Sequence, residues 1–326
     1  MLAHERAHRG KGGSDVALAA EIECTMDLHQ CISDVMRGFT TEVTPGSAAK
    51  IERFSDHLRP GTTVYVTFLP GSDFADTVRV ATRLRDEGFE PVPHIAARSM
   101  PDRAFLEENL KRLRDEAGVD HVLVIAGGVD RPVGEFTDSM QILETGLLDK
   151  YGIGRIGIAG HPEGSPDIPD AAVRDALKWK NDFADRTGAD LYIATQFCFE
   201  AAPIIAWDQR IQAEGNRLPV NIGIPGLATI KTLLNHAKAC GVGNSMRFLT
   251  KQARNVTRLM SVSAPDQLVT GLARYMADDP GCGIRGVHMY PLGGLRKSAL
   301  WTYAVIDGRF RLNADESGFK VDVDLG

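Results

Sequence analysis

Apolar residues fall along this chain in two alternating rhythms. Short dense runs such as TVYVTFL (63–69) and RIGIAG (155–160) are separated by longer stretches whose apolar positions recur three and four apart. Eight runs occur between Phe39 and Trp301: FTTEVTP, TVYVTFL, EPVPHI, DHVLVIAGG, RIGIAG, DLYIATQF, PVNIGIPG and IRGVHMYPL. The fourth is nearly continuous in β-branched residues, as expected of a strand buried on both faces of a parallel sheet. EPVPHI carries two prolines, which such a strand disfavours. The intervening spacing predicts helices from Ser47, read as an N-cap, to Leu58, and from Asp73 to Glu87, with Phe74, Val78, Ala81 and Leu84 on one face. Further helices are expected to open at Pro101-Asp102 and to cover 135–150 and 170–186. A long polar helical insert is expected over about 241–280, and a last helix from near Gly294 carries Leu300, Trp301 and Val305. Another helix, over 22–35, precedes the first strand.

Eight strand–helix units joined by right-handed crossovers close a (β/α)8 TIM barrel. The competing fold, an open doubly wound sheet, would carry a glycine-rich phosphate turn after its first strand. EVTPGSAAK is no GxGxxG, and no GxxxxGK[ST] occurs. The expected organisation is an N-terminal extension over 1–37, the α/β barrel over 38–310 with the helical insert before strand eight, and a C-terminal tail over 311–326.

Composition narrows the classes. With 43% apolar residues, 25% charged residues and a formal charge of −6, the chain offers no basic field for nucleic acid. No apolar run approaches the ~20 residues of a membrane span, and the N-terminus lacks the apolar core of a signal peptide, so a cytoplasmic location is expected. Five cysteines without a CxxC pair suit reduced thiols, and nine scattered histidines form no HExxH; no metal is expected.

A barrel of this kind gathers its chemistry where the strands end. Those positions hold Glu42, Thr44, Thr67, His94, Gly127-Gly128 with Asp130, His161-Pro162-Glu163, Gln196, Gly226 and Tyr290. The absence of a strand-end lysine disfavours Schiff-base chemistry, and the absence of a carboxylate–histidine cluster disfavours a metallohydrolase. A glutamate in an apolar barrel mouth loses hydration, so Glu42 is expected to have a raised pKa and to donate a proton near neutrality. The alternative is an ion pair or hydrogen bond to a neighbouring strand. His94 also suits a structural hydrogen bond, and Gln196 needs partners in ligand or backbone. Gly127-Gly128 suits either close approach of a ligand or a tight turn. The HPEGSPD loop could offer helix N–H groups to phosphate, while Lys178 and Lys180 read most simply as surface charges.

The segments TTEVTPGSAAKI, VYVTFLPG, PVPHIAARS, HVLVIAGG, IAGHPEGSPD, GADLYIATQFCFE, IGIPG and GVHMYPLGG resemble, in order, those of the methylenetetrahydrofolate reductases. The resemblance spans about 38–306, with ADLYIATQFCFE its most specific part. It implies an FAD-containing barrel that reduces 5,10-methylenetetrahydrofolate to 5-methyltetrahydrofolate with NADH or NADPH, and a homo-oligomer. It places Glu42 as the catalytic acid and Thr67, Phe68, His94, Gly127, Gly128, His161, Ser165 and Lys180 at the cofactor. Gln196, Phe197, Asp130 and Tyr290 then face the folate substrate. The chain departs from the family at Ala126-Gly127-Gly128, where Arg-Gly-Asp is usual, and at Gly293-Gly294, where Asn-Arg is usual. Asp130 or Glu163 would replace the lost carboxylate, and Arg296 the lost arginine. These departures leave open a flavin-free NADH-dependent reductase; a pterin-binding methyltransferase-type barrel and a non-catalytic folate-binding barrel are further alternatives.

Overall fold

A computed structural model describes residues 27–165, 168–239, 250 and 260–325. Eight parallel strands close a barrel: β1 (Thr40–Val43), β2 (Thr63–Val66), β3 (Glu90–Ala96), β4 (His121–Ile125), β5 (Arg155–Gly160), β6 (Asp190–Phe197), β7 (Val220–Pro225) and β10 (Ile284–Tyr290). Each pairs with its neighbour in sequence, and β1 closes the ring on β10 through Thr40–His288 and Thr41–Met289. A two-residue antiparallel pair, β8 (Ala228–Thr229) with β9 (Val262–Ser263), sits between β7 and β10.

The helices are α1 (Leu28–Met36), α2 (Pro45–Ala48), α3 (Phe74–Asp86), α4 (Arg103–Ala117), α5 (Ser139–Glu144), α6 (Leu147–Lys150), α7 (Asp170–Thr187), α8 (Ala201–Ala213), α9 (Ile230–Ala239), α10 (Asp266–Asp278) and α11 (Leu295–Ile306). Local chemistry sets their ends. Asp73 caps α3 by accepting from Ala75 N at 2.9 Å, and Asp102 caps α4 by accepting from Phe105 N at 2.8 Å. Val78, Ala81 and Leu84 of α3 and Leu106, Leu110 and Leu113 of α4 are fully covered, so each helix lays its apolar stripe on the sheet.

Three expectations about helices change. The helix expected over 47–58 is only α2 plus a 3-10 turn at Phe54–Asp56. Thr44 is its cap, Pro45 takes the first turn, and Ser47 closes a capping box back onto Thr44. The helix expected over 135–150 is two short ones, parted by Gly146 at φ +70°. The polar insert expected over about 241–280 follows the amphipathic α9 and ends with the amphipathic α10; its residues 241–249 and 251–259 lie outside the described residues. The tail is also more than a tail: β11 (Phe310–Leu312) and β12 (Phe319–Val321) form a hairpin that buries Phe310 and Phe319 beside Trp301. Residues 22–26 of the expected first helix lie outside the described residues, and α1 packs Ile32 and Met36 into the main core. The His29 ring lies flat on Phe310, centroids 3.9 Å apart, and Ser33 Oγ donates to Val305 O at 2.9 Å. No described helix is long and apolar enough to cross a membrane.

The apolar interior falls into layers. A large core lies between sheet and helices, whereas a small separate cluster of Tyr65, Val92, Leu123, Tyr192 and Ala194 fills the inside of the barrel. The alternation of strand side chains produces this division.

Candidate active site

Glu42 emerges from β1 toward the C-terminal mouth with its side chain 18% exposed. The Thr67 hydroxyl, just past β2, donates to Glu42 Oε2 at 3.1 Å. His288 Nε2, from β10, stands 3.7 Å from the same oxygen, and His288 Nδ1 lies 2.7 Å from Thr40 Oγ1. The register explains the convergence. Thr40 lies opposite His288 across β1–β10, and Glu42 opposite Tyr65 across β1–β2, so three strands turn polar groups inward at neighbouring levels.

The expected raised pKa of Glu42 is overturned. Burial pushes its carboxyl up, but the nearby His288 imidazole, then His94 and the Thr67 hydroxyl, outweigh it and hold the carboxyl below its ordinary value. Glu42 therefore rests ionised. His94, on β3, is buried, and that burial lowers its pKa to about 4 against the opposing pull of Glu42. Its Nε2 has no hydrogen-bond partner among the described residues.

A second group lies around β6. The β6–β7 register shifts between Ala194 and Phe197, so Thr195 and Gln196 form a bulge. Gly223 N donates to Thr195 Oγ1 at 2.8 Å, and the Tyr290 hydroxyl donates to Thr195 O at 2.9 Å. An added Cβ on Gly223 would stand 2.5 Å from Thr195 O, so only glycine lets β7 lie this close. Gln196 Oε1 accepts from Phe197 N at 3.1 Å and its side chain is half-buried. Phe197 packs edge-on to Tyr290, 5.2 Å between centroids, and Tyr290 packs edge-on to His288 at 4.7 Å. Gln196, Phe197 and Tyr290 thus connect to the Glu42 cluster through aromatic contacts. A cleft of about 260 Å³ opens beside them, lined by Phe199, Pro225, Leu233 and the segment Val262–Leu268.

Other expected positions scatter. Phe68 is buried against Phe74, 5.6 Å between rings, in the layer between sheet and helices, so it turns away from the barrel interior. Gly127 takes φ +92° and Gly128 and Asp130 are exposed at the end of β4. His161 and Ser165 are half-buried beyond β5. Lys180, read as a surface charge, is instead buried on α7, and burial lowers its pKa to about 8 while Asp138 pulls the other way. Its charge is felt at His161, and among the described residues it makes no hydrogen bond or ion pair. Lys178 pairs with Asp182 at the surface. No group of histidine, cysteine, aspartate or glutamate suited to a metal occurs among the described residues. The sequence reading missed His288; its place two residues before Tyr290 on β10, and so on the same face, was the available signal.

Comparison with known proteins bears on the same residues. A family model described as "Methylenetetrahydrofolate reductase" matches residues 40–254, more than half of the chain. Methylenetetrahydrofolate reductase 2 of Saccharomyces cerevisiae is 28% identical over 167 residues, 49% of this chain and 27% of that protein. Methylenetetrahydrofolate reductase 1 of Schizosaccharomyces pombe is 28% identical over 154 residues, 44% of this chain and 24% of that protein. The chain thus spans about a quarter of the length of these relatives. Among solved structures, an uncharacterized protein from Clostridium thermocellum, described as binding two copies of 5-methyl-5,6,7,8-tetrahydrofolic acid, shares the fold. Its TM-score is 0.50 at 15% identity, covering 86% of this chain and 97% of that one. Since the family match runs from β1, where Glu42 sits, through β7, which props the Gln196 bulge, the chain belongs to the methylenetetrahydrofolate reductase family.

Proposed function

We propose that this chain reduces 5,10-methylenetetrahydrofolate to 5-methyltetrahydrofolate, with NADH or NADPH supplying the hydride. The observation that carries the reading is the Glu42 carboxylate, held between Thr67 and His288 at the barrel mouth. The reaction consumes one hydride and one proton. The methylene carbon gains the hydride, its bond to one folate nitrogen breaks, and that nitrogen takes the proton. An ionised Glu42 stabilises the cation that ring opening creates, and it passes a proton to the departing nitrogen once it has received one. Gln196, held by its bulge, hydrogen-bonds the pterin edge, and Phe197 and Tyr290 wall the aromatic part of the folate. The binding of methyltetrahydrofolate described for the Clostridium thermocellum protein agrees with a folate in a barrel of this shape.

FAD is the cofactor that the sequence resemblance implies, and its positions are met in part. The buried Lys180 ammonium and the neighbouring His161 suit a phosphate-bearing ligand. Phe68 points into the helix layer, and Ala126 and Gly128 follow β4 at the positions where the family usually has arginine and aspartate. The fit is incomplete. Those same two features favour a second reading, in which hydride passes directly from the nicotinamide to the folate. A visible spectrum of the purified protein separates the two: a yellow protein bleached by NADH carries flavin, and a colourless protein that turns over does not need it. The reductase reading itself is tested with Glu42→Gln, expected to lower folate-dependent NAD(P)H oxidation by about 10²–10⁴-fold while folate still binds. Wild-type turnover in that variant would refute it.

A further inference from the structure

Thr195 takes no part in the proposed ring opening, yet it is wholly buried and both of its oxygens are engaged where the β6–β7 pairing is irregular. Ala194 pairs with Asn221 and Phe197 with Gly223, so Thr195 and Gln196 stand against the single residue Ile222. The extra residue interrupts the ladder, and the buried N–H of Gly223 needs an acceptor outside it. The Thr195 side chain is that acceptor. Gly223 N donates to Thr195 Oγ1 at 2.8 Å, and the same hydroxyl donates to Gln196 O at 2.9 Å. The main-chain oxygen of Thr195 accepts from the Tyr290 hydroxyl at 2.9 Å. Cys198 N donates to Gly223 O at 3.2 Å and closes the far side of the bulge.

The bulge decides what Gln196 shows to the mouth. Its Oε1 accepts from Phe197 N at 3.1 Å, and a backbone N–H can face only the oxygen of a side-chain amide, so Nε2 is turned the other way. Among the described residues Nε2 has no hydrogen-bond partner. Gln196 therefore offers a donor, and the group it can read on a pterin edge is an acceptor. Thr195 grips both sides of this arrangement, through Gln196 O on its own strand and Gly223 N on the next. Its side chain has little freedom to turn. The methyl lies against β5, where a Cβ on Gly160 would come 3.0 Å from Thr195 Cγ2, and branching at Cβ restricts χ1 further.

We infer that Thr195 is a positioning residue for the folate: its hydroxyl stands in for a backbone acceptor, holds the bulge, and so aims the Gln196 Nε2 donor at the pterin. Thr195 touches no substrate and acts through Gln196. The Tyr290 hydroxyl is a second fastening on the same bulge, reaching it from β10. The inference rests on the reductase reading, which places a folate beside Gln196.

The test is a double-mutant cycle on the full chain, read as the Kd of 5-methyltetrahydrofolate by equilibrium dialysis. Thr195→Val removes the hydroxyl at nearly constant volume, and Gln196→Ala removes the amide it aims. Each should weaken binding about tenfold, and the double variant should bind no more weakly than Gln196→Ala alone. Thr195→Ser keeps the hydroxyl and should return the affinity to within about threefold of wild type. If Thr195→Val lacks a melting transition, Tyr290→Phe releases the bulge at its other fastening, keeps the ring, and is held to the same outcome. Wild-type affinity in Thr195→Val or Gln196→Ala, losses that add in the double variant, or a serine variant as weak as the valine one would overturn the inference. The reductase reading is judged separately: an inactive Glu42→Gln leaves it standing whatever the cycle shows. A wild-type chain that binds no 5-methyltetrahydrofolate would overturn both.

Discussion

Replacing Gly223 with alanine tests whether the β6 bulge sets the substrate site. The new Cβ would lie 2.5 Å from Thr195 O and 2.8 Å from the carbonyl carbon and oxygen of Gln196, all backbone atoms of a neighbouring strand. Ordinary contact begins at 3.4 Å, so the strands must part by about 0.9 Å. No side-chain rotation can relieve this. Overpacking of a tight interior costs about 1–3 kcal/mol, and backbone contacts place this one toward the upper end. The melting temperature should fall by about 5 °C. The same movement stretches the 2.8 Å bond from Gly223 N to Thr195 Oγ1 and turns the Gln196 amide. A displacement near 1 Å at a positioning group costs about 10²-fold in rate, so kcat/KM for the folate should drop by that order. Thermal melting and initial-rate kinetics on one preparation decide the matter. Wild-type melting together with wild-type kcat/KM would refute the reasoning, since the contact would then be relieved without cost.

Three further outcomes follow from charge. Glu42 has a folded pKa below its ordinary 4.5, so the stability it contributes is present above that value and is lost as pH falls through the folded one. Acid melting should therefore steepen for the wild type relative to Glu42→Gln below pH 4.5; parallel curves would contradict it. Thr67→Val removes a hydrogen bond to the ionised carboxylate and should raise the Glu42 pKa, as read by carbon NMR titration of that side chain. Lys180 is a base whose folded pKa, about 8, lies below its ordinary 10.5, so its charge opposes folding at neutral pH. Stability of the wild type should rise by roughly 3 kcal/mol relative to Lys180→Met as pH increases from about 8 to 10.5. A constant difference across that range would refute the assignment.

The barrel was legible because parallel strands buried on both faces are written as apolar runs, and DLYIATQF and RIGIAG match β6 and β5 residue for residue. EPVPHI formed a strand despite Pro91 and Pro93; β3 ends at Ala96, and the prolines lie among its buried residues. Helix limits were less legible. Thr44 and Ser47 both look like caps, and only Pro45 at the first turn decides between them. Glu42, Gln196 and Tyr290 could be found as strand-end polar groups. The charge of Glu42 could not, because it depends on His288, which approaches only when the last strand closes on the first. Tyr65 was hidden by its company: within VYV it reads as one more apolar residue, and its hydroxyl matters only opposite Tyr192.

The clasp between α1 and the β11–β12 hairpin has a consequence for engineering. Stacking of His29 on Phe310, and the Ser33 bond to Val305, make each segment the shelter of the other. Deleting either one would wet the Trp301–Phe319 contact or its surroundings, so shortening from the two sides should be equally damaging. The stretch 128–135, exposed between β4 and α5 and bonded mainly through Arg98, Pro101 and Arg103, is the place where inserted sequence should be borne more easily.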